Sequence, residues 1–159
     1  MASDSAIRRA CRDTIGDSIA RAAARFRGRT ALRFADRSWR YDDLHRVTDQ
    51  IAAHLCAQGL AKGDRLVAYG RNSDHYLLAW LACCKAGIIH VPANYALSAT
   101  ELSYIITQSG ARFVLFDDNL AETVAAAAPP AHRPMMCRMM TSRKFSTHPA
   151  PRAHQKARP

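Results

Sequence analysis

The stretch RLVAYGRNSDHYLLAWLACCKAGIIHVPANYALSATELSYIITQSGARFVLF, residues 65–116, decides the fold. It contains three short apolar runs, at 65–70, 88–92 and 112–116, separated by two longer segments of helical character. Apolar runs of this length, bounded by turn residues, indicate buried strands. Strand, helix, strand, helix, strand at this spacing predicts a βαβαβ unit, in which the strands are parallel and helices cover the sheet.

The ends of these two helices carry their own signals. Asn72 or Ser73 is the candidate N-cap of the first helix, which we expect to run through Lys85 and to end at Gly87. For the second helix, residues 98–101 (SATE) form a capping box, and Gly110 supplies the stop. We expect Pro92 to close the strand between them.

Upstream, the pattern predicts a helix over 14–26, a β-hairpin within 30–41 that turns at Asp36-Arg37, and a helix from Asp42 to Gln58 that ends before Gly59. Thr14 or Asp13 is the candidate N-cap of the first of these helices. Each helix has one apolar face, formed in the first by Ile15, Ile19, Ala22, Ala23 and Phe26, and in the second by Leu44, Val47, Ile51 and Leu55.

After Asp118 a further helix starts at NLAETVAAAA and runs into Pro129-Pro130. Residues 125–159 hold six of the seven prolines, four of the five methionines and seven Lys/Arg without an acid. Residues 1–124 carry 16 basic and 13 acidic residues, so most of the +10 net charge lies in this tail. We therefore predict an arm (1–13), an α/β body (14–124) and a disordered basic tail (125–159).

Composition argues against several classes of protein. The N-terminus lacks the apolar core of a signal peptide, and the longest apolar run, residues 76–84, is too short for a membrane span. The five cysteines form no CxxC pair and no even framework, which favours a reducing compartment, most simply the cytoplasm.

No single residue of the body makes a strong candidate for a site. His45 and His54 lie about half a turn out of phase on one predicted helix, and His75 and His90 are isolated, so we predict no metal site. Cys83 and Cys84 fall in the most apolar helix, where cysteine behaves as a small hydrophobic residue. Lys85 suits the C-terminal turn of that helix, and Asp117 and Asp118 are interpreted as a solvated helix start.

The tail offers two weaker possibilities for binding. HRPMMCRMM, residues 132–140, has the soft ligands that Cu(I) prefers, but without further ligand spacing a chance cluster is the better interpretation. The basic charge could attract nucleic acid or anionic lipid without specificity, while Phe145 is the tail's one aromatic residue for stacking on bases. We predict no specific nucleic-acid partner.

Three stretches carry a resemblance to a known family: RSWRYDDLHRVTDQIAAHL, GLAKGDRLVAYGRNS and CCKAGIIHVPANYALSATELSYIITQSGARFVLFDD. Their order and spacing resemble the N-terminal segment of the adenylate-forming (AMP-binding) enzymes, the acyl-CoA synthetases and their relatives, from about Thr14 to Val124. Tyr41 to Leu44 and Lys85-Ala86-Gly87 with Val91-Pro92 are the main anchors. The family commonly has Thr or Ser at the position of Arg40, which cannot cap the following helix in the same way.

The resemblance implies ATP-dependent activation of a carboxylic acid, in which an acyl-adenylate forms with release of pyrophosphate and CoA then displaces AMP. In the family, a Ser/Thr/Gly-rich loop ending in Pro-Lys-Gly cradles the phosphates with Mg²⁺, and it follows the region seen here. The carboxylate that holds the ribose and the assisting lysine come later still. This sequence has no such clustered glycines, and its last 49 residues contain none. We therefore expect no catalytic, cofactor-binding or metal-binding residues in this chain.

These observations predict a truncated N-terminal fragment of an acyl-CoA synthetase, inactive alone and binding none of ATP, Mg²⁺ or CoA by itself. The loss of pattern suggests a gene interrupted or frameshifted near Ala128 to Ala131. A small noncatalytic interaction or regulatory protein built on the same subdomain is the alternative, and a nonspecific nucleic-acid binder is a remote one. A sheet that is cut part-way leaves an uncovered apolar face, through which we expect self-association.

Overall fold

In the computed structural model of the chain, residues 14–127 and 134–139 are described. The predicted arm (1–13) lies outside this range, as do residues 128–133 and 140–159. The elements are α1 (Ile15–Arg25), β1 (Thr30–Phe34), β2 (Arg37–Arg40), α2 (Tyr41–Ala57), β3 (Arg65–Gly70), α3 (Asp74–Ala86), β4 (Ile89–Asn94), α4 (Ala99–Ser109), β5 (Phe113–Asp117), a 3₁₀ turn (Asp118–Leu120), α5 (Ala121–Ala127) and β6 (Met135–Met139).

The α/β fold predicted from residues 65–116 is confirmed. Four parallel strands are arranged in the order β4-β3-β5-β6, and β1 and β2 form a separate antiparallel hairpin. Alternation along the strands divides the core between the two faces of the sheet. On one face Leu66 and Ala68 pack with Cys83 of α3 and Leu55 of α2, and on the other Val67 and Tyr69 pack with α4 and α5.

The predicted helix ends are largely confirmed because the capping residues act locally. Thr14 and Ser98 each form a complete capping box, with Asp17 and Glu101 respectively. Ser73 accepts a hydrogen bond from the backbone N–H of Tyr76 and caps α3, while Gly87 and Gly110 end α3 and α4 in the left-handed conformation. Arg40 is the N-cap residue of α2, and its side chain forms no capping hydrogen bond. This is expected, because the family commonly has Thr or Ser at this position.

The predicted position of Pro92 at the end of its strand needs correction. Pro92 does not close β4 but lies inside it, paired in register with Ala68. The backbone N–H of Ile89 bonds to the carbonyl of Asp64 before β3, and alternate residues of a strand bond to the same side. The missing N–H of Pro92 therefore faces the open edge of β4, where it disturbs no hydrogen bond.

The prediction of a disordered tail from residue 125 does not hold throughout. Residues 125–127 complete α5, and β6 adds a fourth parallel strand beside β5, with Met135 opposite Phe113 and Cys137 opposite Leu115. β6 was not predicted, because methionine is not among the residues enriched in strands and the surrounding residues lack alternation. The proposed break near Ala128 to Ala131 lies outside the described residues and stays a prediction.

A buried carboxylate holds the hairpin to the sheet layer. Asp74, 1% exposed, accepts hydrogen bonds from Arg37 Nε (2.8 Å), Arg37 Nη2 (2.6 Å) and Trp39 Nε1 (2.9 Å). Burial alone would raise the pKa of Asp74, but the bonds from Arg37 and Trp39 outweigh it and hold the pKa below the usual value. Trp39 then packs with Leu44, Val47, Leu78 and Leu81 in a core between hairpin and helices.

We expect Asp74→Asn to lower the free energy of unfolding by about 1–3 kcal/mol, because the buried side chain would lose the charge that pairs with the partly exposed Arg37 guanidinium and keep only one acceptor oxygen. Urea unfolding followed by tryptophan fluorescence measures the change. Asp36→Asn, at an exposed carboxylate in the same hairpin, is the matched control and should have little effect. Equal decreases in the free energy of unfolding for the two variants would show that Asp74 does not hold the hairpin to α3.

Candidate functional site

The carboxyl ends of β3, β4 and β5 lie side by side at one edge of the sheet. In register, Tyr69 of β3 is opposite both Ala93 of β4 and Phe116 of β5. The segments that leave this edge are residues 71–73, 95–98 and 118–120. In parallel α/β sheets ligands bind outside the carboxyl ends of the strands, so this edge is the candidate functional site.

Asp117 closes one side of this edge, and its prediction as part of a solvated helix start is wrong. Its side chain is 8% exposed, and Oδ2 accepts a hydrogen bond of 2.7 Å from the backbone N–H of Arg71. The bond joins the end of β5 to the first residue after β3. Sequence reasoning missed it because a backbone N–H offers no residue-type signal.

Arg71 and Tyr95 form the outer wall of the same edge. The Arg71 guanidinium carbon lies 4.4 Å from the centroid of the Tyr95 ring, a distance typical of a cation–π contact. Behind it, Tyr69 donates its hydroxyl proton to the carbonyl of Leu97 at 2.8 Å, and Asn94 Oδ1 accepts from the backbone N–H of Ala96. These bonds fix the loop after β4, so the edge presents one oriented cation to solvent.

A cleft of about 400 Å³ lies where α3 crosses the open side of β4. Its wall is mostly apolar and is lined by Asn72, Ser73, Tyr76, Leu77, Trp80, His90 and Pro92. The ring of His90 stands edge-on to Tyr76, with centroids 5.4 Å apart, and its buried Nε2 has no hydrogen-bond partner among the described residues. Burial lowers the pKa of His90, so the imidazole is neutral at pH 7.

The remaining histidines do not come together. His45 Nδ1 lies 2.7 Å from Lys85 Nζ, which also bonds to Asp49 Oδ1 at 2.7 Å, while His75 lies against Trp39. Lys85 is indeed in the last turn of α3, but its side chain is only 8% exposed because it bridges α3 to α2. No group of three metal-ligating side chains exists in the described part of the chain.

Cys83 has the properties expected of a small hydrophobic residue. It is fully buried against the sheet, and burial raises the pKa of its thiol to about 12. A thiol of this kind is almost wholly protonated at neutral pH and is a poor nucleophile. Neither Cys83 nor the partly buried Cys84 lies at the carboxyl edge.

The three segments that leave this edge differ in composition from a usual phosphate-binding loop. A triphosphate needs several backbone N–H groups that approach closely, usually through clustered glycines, and residues 71–73, 95–98 and 118–120 contain no glycine. Arg71 is the one cation on these three segments. No chemical step is assigned to the described residues, and the expectation that this chain alone binds no nucleotide stays a prediction.

We expect Asp117→Ala to speed hydrogen exchange at the Arg71 amide by about tenfold, because its acceptor is removed while the sheet persists. Exchange measured by NMR on labelled protein reports this amide directly. Asn94→Ala, which removes the acceptor of the Ala96 amide instead, is the control at the same edge. Unchanged exchange at Arg71 would mean that the Asp117 bond is not formed in solution.

Within residues 14–127 and 134–139, every helix is too short or too polar to span a membrane.

Two curated relatives share substantial identity with the chain. The fatty acid–[acyl-carrier-protein] ligase ScoC of Streptomyces coeruleorubidus is 41% identical over 96 residues, which cover 59% of this chain and 18% of that protein. The mitochondrial medium-chain acyl-CoA ligase ACSF2 of Rattus norvegicus is 37% identical over 105 residues, covering 65% of this chain and 17% of that protein. The chain thus spans about a fifth of the length of these curated relatives.

A solved structure agrees with these relatives. The inhibitor-bound N-terminal domain of FACL13 from Mycobacterium tuberculosis superposes with a TM-score of 0.71 at 26% identity, covering 79% of this chain and 33% of that one. The family model described as AMP-binding enzyme matches residues 19–158 and so extends past Val124, where we expected the resemblance to end. By sequence and by fold, the chain belongs to the AMP-binding, adenylate-forming enzyme family.

Proposed function

We propose that this chain is the N-terminal part of an ATP-dependent ligase that activates a carboxylic acid and transfers it to a thiol, with ATP, Mg²⁺ and CoA used by the intact enzyme. The match to the AMP-binding family over residues 19–158 carries the proposal. ScoC and ACSF2 are named for fatty and medium-chain acids, which makes an aliphatic acid the first substrate to try.

The isolated chain, on this proposal, contributes structure and not catalysis. Its loops at the carboxyl edge lack clustered glycines, and the Asp117 carboxylate accepts the backbone N–H of Arg71, which joins the end of β5 to the end of β3. The phosphate-binding loop, the carboxylate that holds the ribose and the assisting lysine would come from the region that follows this one in other members of the family. A cytoplasmic location belongs to the same proposal, supported by the free thiols of Cys56, Cys83 and Cys84.

Titration calorimetry of the full chain with ATP·Mg²⁺ tests the proposed inactivity, together with a pyrophosphate-release assay over fatty and aryl acids. We expect neither binding nor release, because nothing in the described loops cradles a triphosphate. ScoC, assayed in parallel, is the positive control for the assay. Binding or turnover by this chain would show that a phosphate site exists without clustered glycines.

We also propose that the isolated chain self-associates through apolar surface left open by the sheet. Trp80 on α3 and Ile89, the first residue of the edge strand β4, are 36% and 51% exposed. Met135 and Met136 on β6 are 45% and 40% exposed. Each of these strands has a partner on one side only among the described residues. Apolar side chains clustered at sheet edges favour association between copies.

Sedimentation velocity over a concentration series is the measurement for self-association. Association should weaken in Trp80→Gln, which removes apolar area beside the cleft, and should persist in Tyr104→Gln, a control at the exposed face of α4. A monomer that unfolds cooperatively and reversibly would contradict this proposal and favour a small self-sufficient interaction protein.

A further inference from the structure

Positive charge in the described body is concentrated in one segment. Residues 21–46 contain eight arginines and three aspartates, whereas residues 14–127 as a whole contain thirteen Lys/Arg. All eight are arginine, whose planar guanidinium matches a carboxylate with two parallel hydrogen bonds and keeps its charge at any physiological pH. We use the name arginine surface for the exposed side chains of Arg25, Arg29, Arg33 and Arg40.

Arg25 and Arg29 are held in place by one aromatic ring. Their guanidinium carbons lie 5.3 and 5.6 Å from the centroid of the Phe26 ring, which in turn contacts Tyr41 at 5.5 Å. The carbonyl of Arg29 accepts the backbone N–H of Tyr41 at 3.0 Å, so the turn is tied to the start of α2. A guanidinium held against a ring can keep its in-plane N–H groups available to an incoming anion, and ordering it costs less entropy on binding.

Arg33 and Arg40 extend this surface across the hairpin. Trp39 points inward and is buried, so its neighbours Ser38 and Arg40 point outward. Arg33 is paired with Ser38 in register and therefore lies on the same outer face. Within the described ranges none of the four arginines of the arginine surface forms an ion pair.

The acids of the same segment decide what kind of anion fits. Asp42 accepts from the backbone N–H of Gly28, and this and further backbone N–H bonds outweigh the opposing effect of burial to lower its pKa, so it stays charged. Asp43 is paired with Arg46, and Asp36 is exposed at the hairpin turn. Fixed negative charges among the arginines penalise a continuous row of phosphates, as in nucleic acid. They are compatible with a protein surface, where carboxylates are spaced among neutral residues.

We propose that the arginine surface is a docking surface for an acidic protein partner. The partner chemistry is a set of spaced carboxylates, as on one face of a Glu-rich helix, that meet the Arg25–Arg29 pair and the outer face of the hairpin. The Arg37–Asp74 ion pair places the hairpin beside the start of α3, which follows the carboxyl end of β3. The proposal does not depend on ligase activity.

The test uses the full chain and a labelled helical peptide of about 20 residues, long enough to fold alone, with glutamates along one face. Fluorescence anisotropy at about 0.15 M salt suppresses long-range attraction. A peptide with glutamine at the same positions is the ligand control, and a DNA duplex is the competing anion. We expect the glutamate peptide to bind and the glutamine peptide not to bind.

The variants separate a specific surface from net charge. Arg25→Gln with Arg29→Gln should weaken peptide binding about tenfold, and Arg33→Gln with Arg40→Gln should weaken it similarly, as expected for two lost exposed ion pairs. The control variant, Lys62→Gln with Arg112→Gln, removes the same amount of positive charge from residues that precede β3 and β5, at the amino ends of the strands. It should change peptide binding less than twofold. Thermal unfolding of each variant establishes that it is folded.

Three results would overturn the proposal. Equal weakening by the Lys62 and Arg112 control would show that net charge, including that of the basic tail, accounts for the binding. Tighter binding of the DNA duplex than of the peptide, lost in the same arginine variants, would assign the surface to nucleic acid. Absence of peptide binding to the folded full chain would show that the carboxylate spacing is not recognised.

Discussion

The ion pair between Asp74 and Arg37 is the interaction on which the arrangement of the body depends. A two-stranded hairpin is only marginally stable alone, and the strands of this one do not pair with any strand of the parallel sheet. Asp74 gives it a fixed position, since the carboxylate is buried, receives three hydrogen bonds and begins α3. Burying a charge is costly without such partners, so the same bonds that stabilise Asp74 also fix where Trp39 can pack.

Through Trp39 this constraint reaches the other layers. The indole contributes both a hydrogen bond to Asp74 and apolar surface to the core formed with Leu44, Val47 and Leu78. That core binds α2 to α3, and a second link between these helices comes from Lys85 with His45 and Asp49. The helices in turn cover one face of the sheet. The carboxyl edge with Arg71 and Asp117 is therefore supported by the packing of α2 and α3 and by the hairpin, whose residues are distant from that edge in sequence.

Local signals in the sequence were sufficient for much of the fold. Thr14, Ser73 and Ser98 start helices because a side-chain oxygen satisfies a nearby N–H, and Gly87 and Gly110 end them because they adopt positive φ without strain. Such effects act within four residues and are visible in any sequence. The apolar runs of β3 and β5 likewise predicted a buried parallel sheet.

Interactions across long separations could not be predicted in this way. Asp74 and Arg37 are 37 residues apart, Lys85 and His45 are 40 apart, and Asp117 and the Arg71 amide are 46 apart. Nothing in the residue types singles out these partners among the other charged residues, because pairing is set by the packing of whole elements. β6 was missed for a related reason, since its position beside β5 depends on the chain returning to the sheet after α5.

The place of Pro92 in β4 has a consequence for how copies of this chain can meet. An exposed edge strand with a full set of N–H and C=O groups is a template for cross-β growth, in which identical strands stack along a fibril axis. On the outer side of β4, Pro92 removes one donor from the middle of the strand, so a continuous ladder with a second copy is interrupted there. If the proposed self-association involves this edge, it would rest on side-chain packing, which can end at a small assembly, and not on an open-ended ladder of strands. Pro92 thus protects the edge strand β4 against backbone pairing with a second copy.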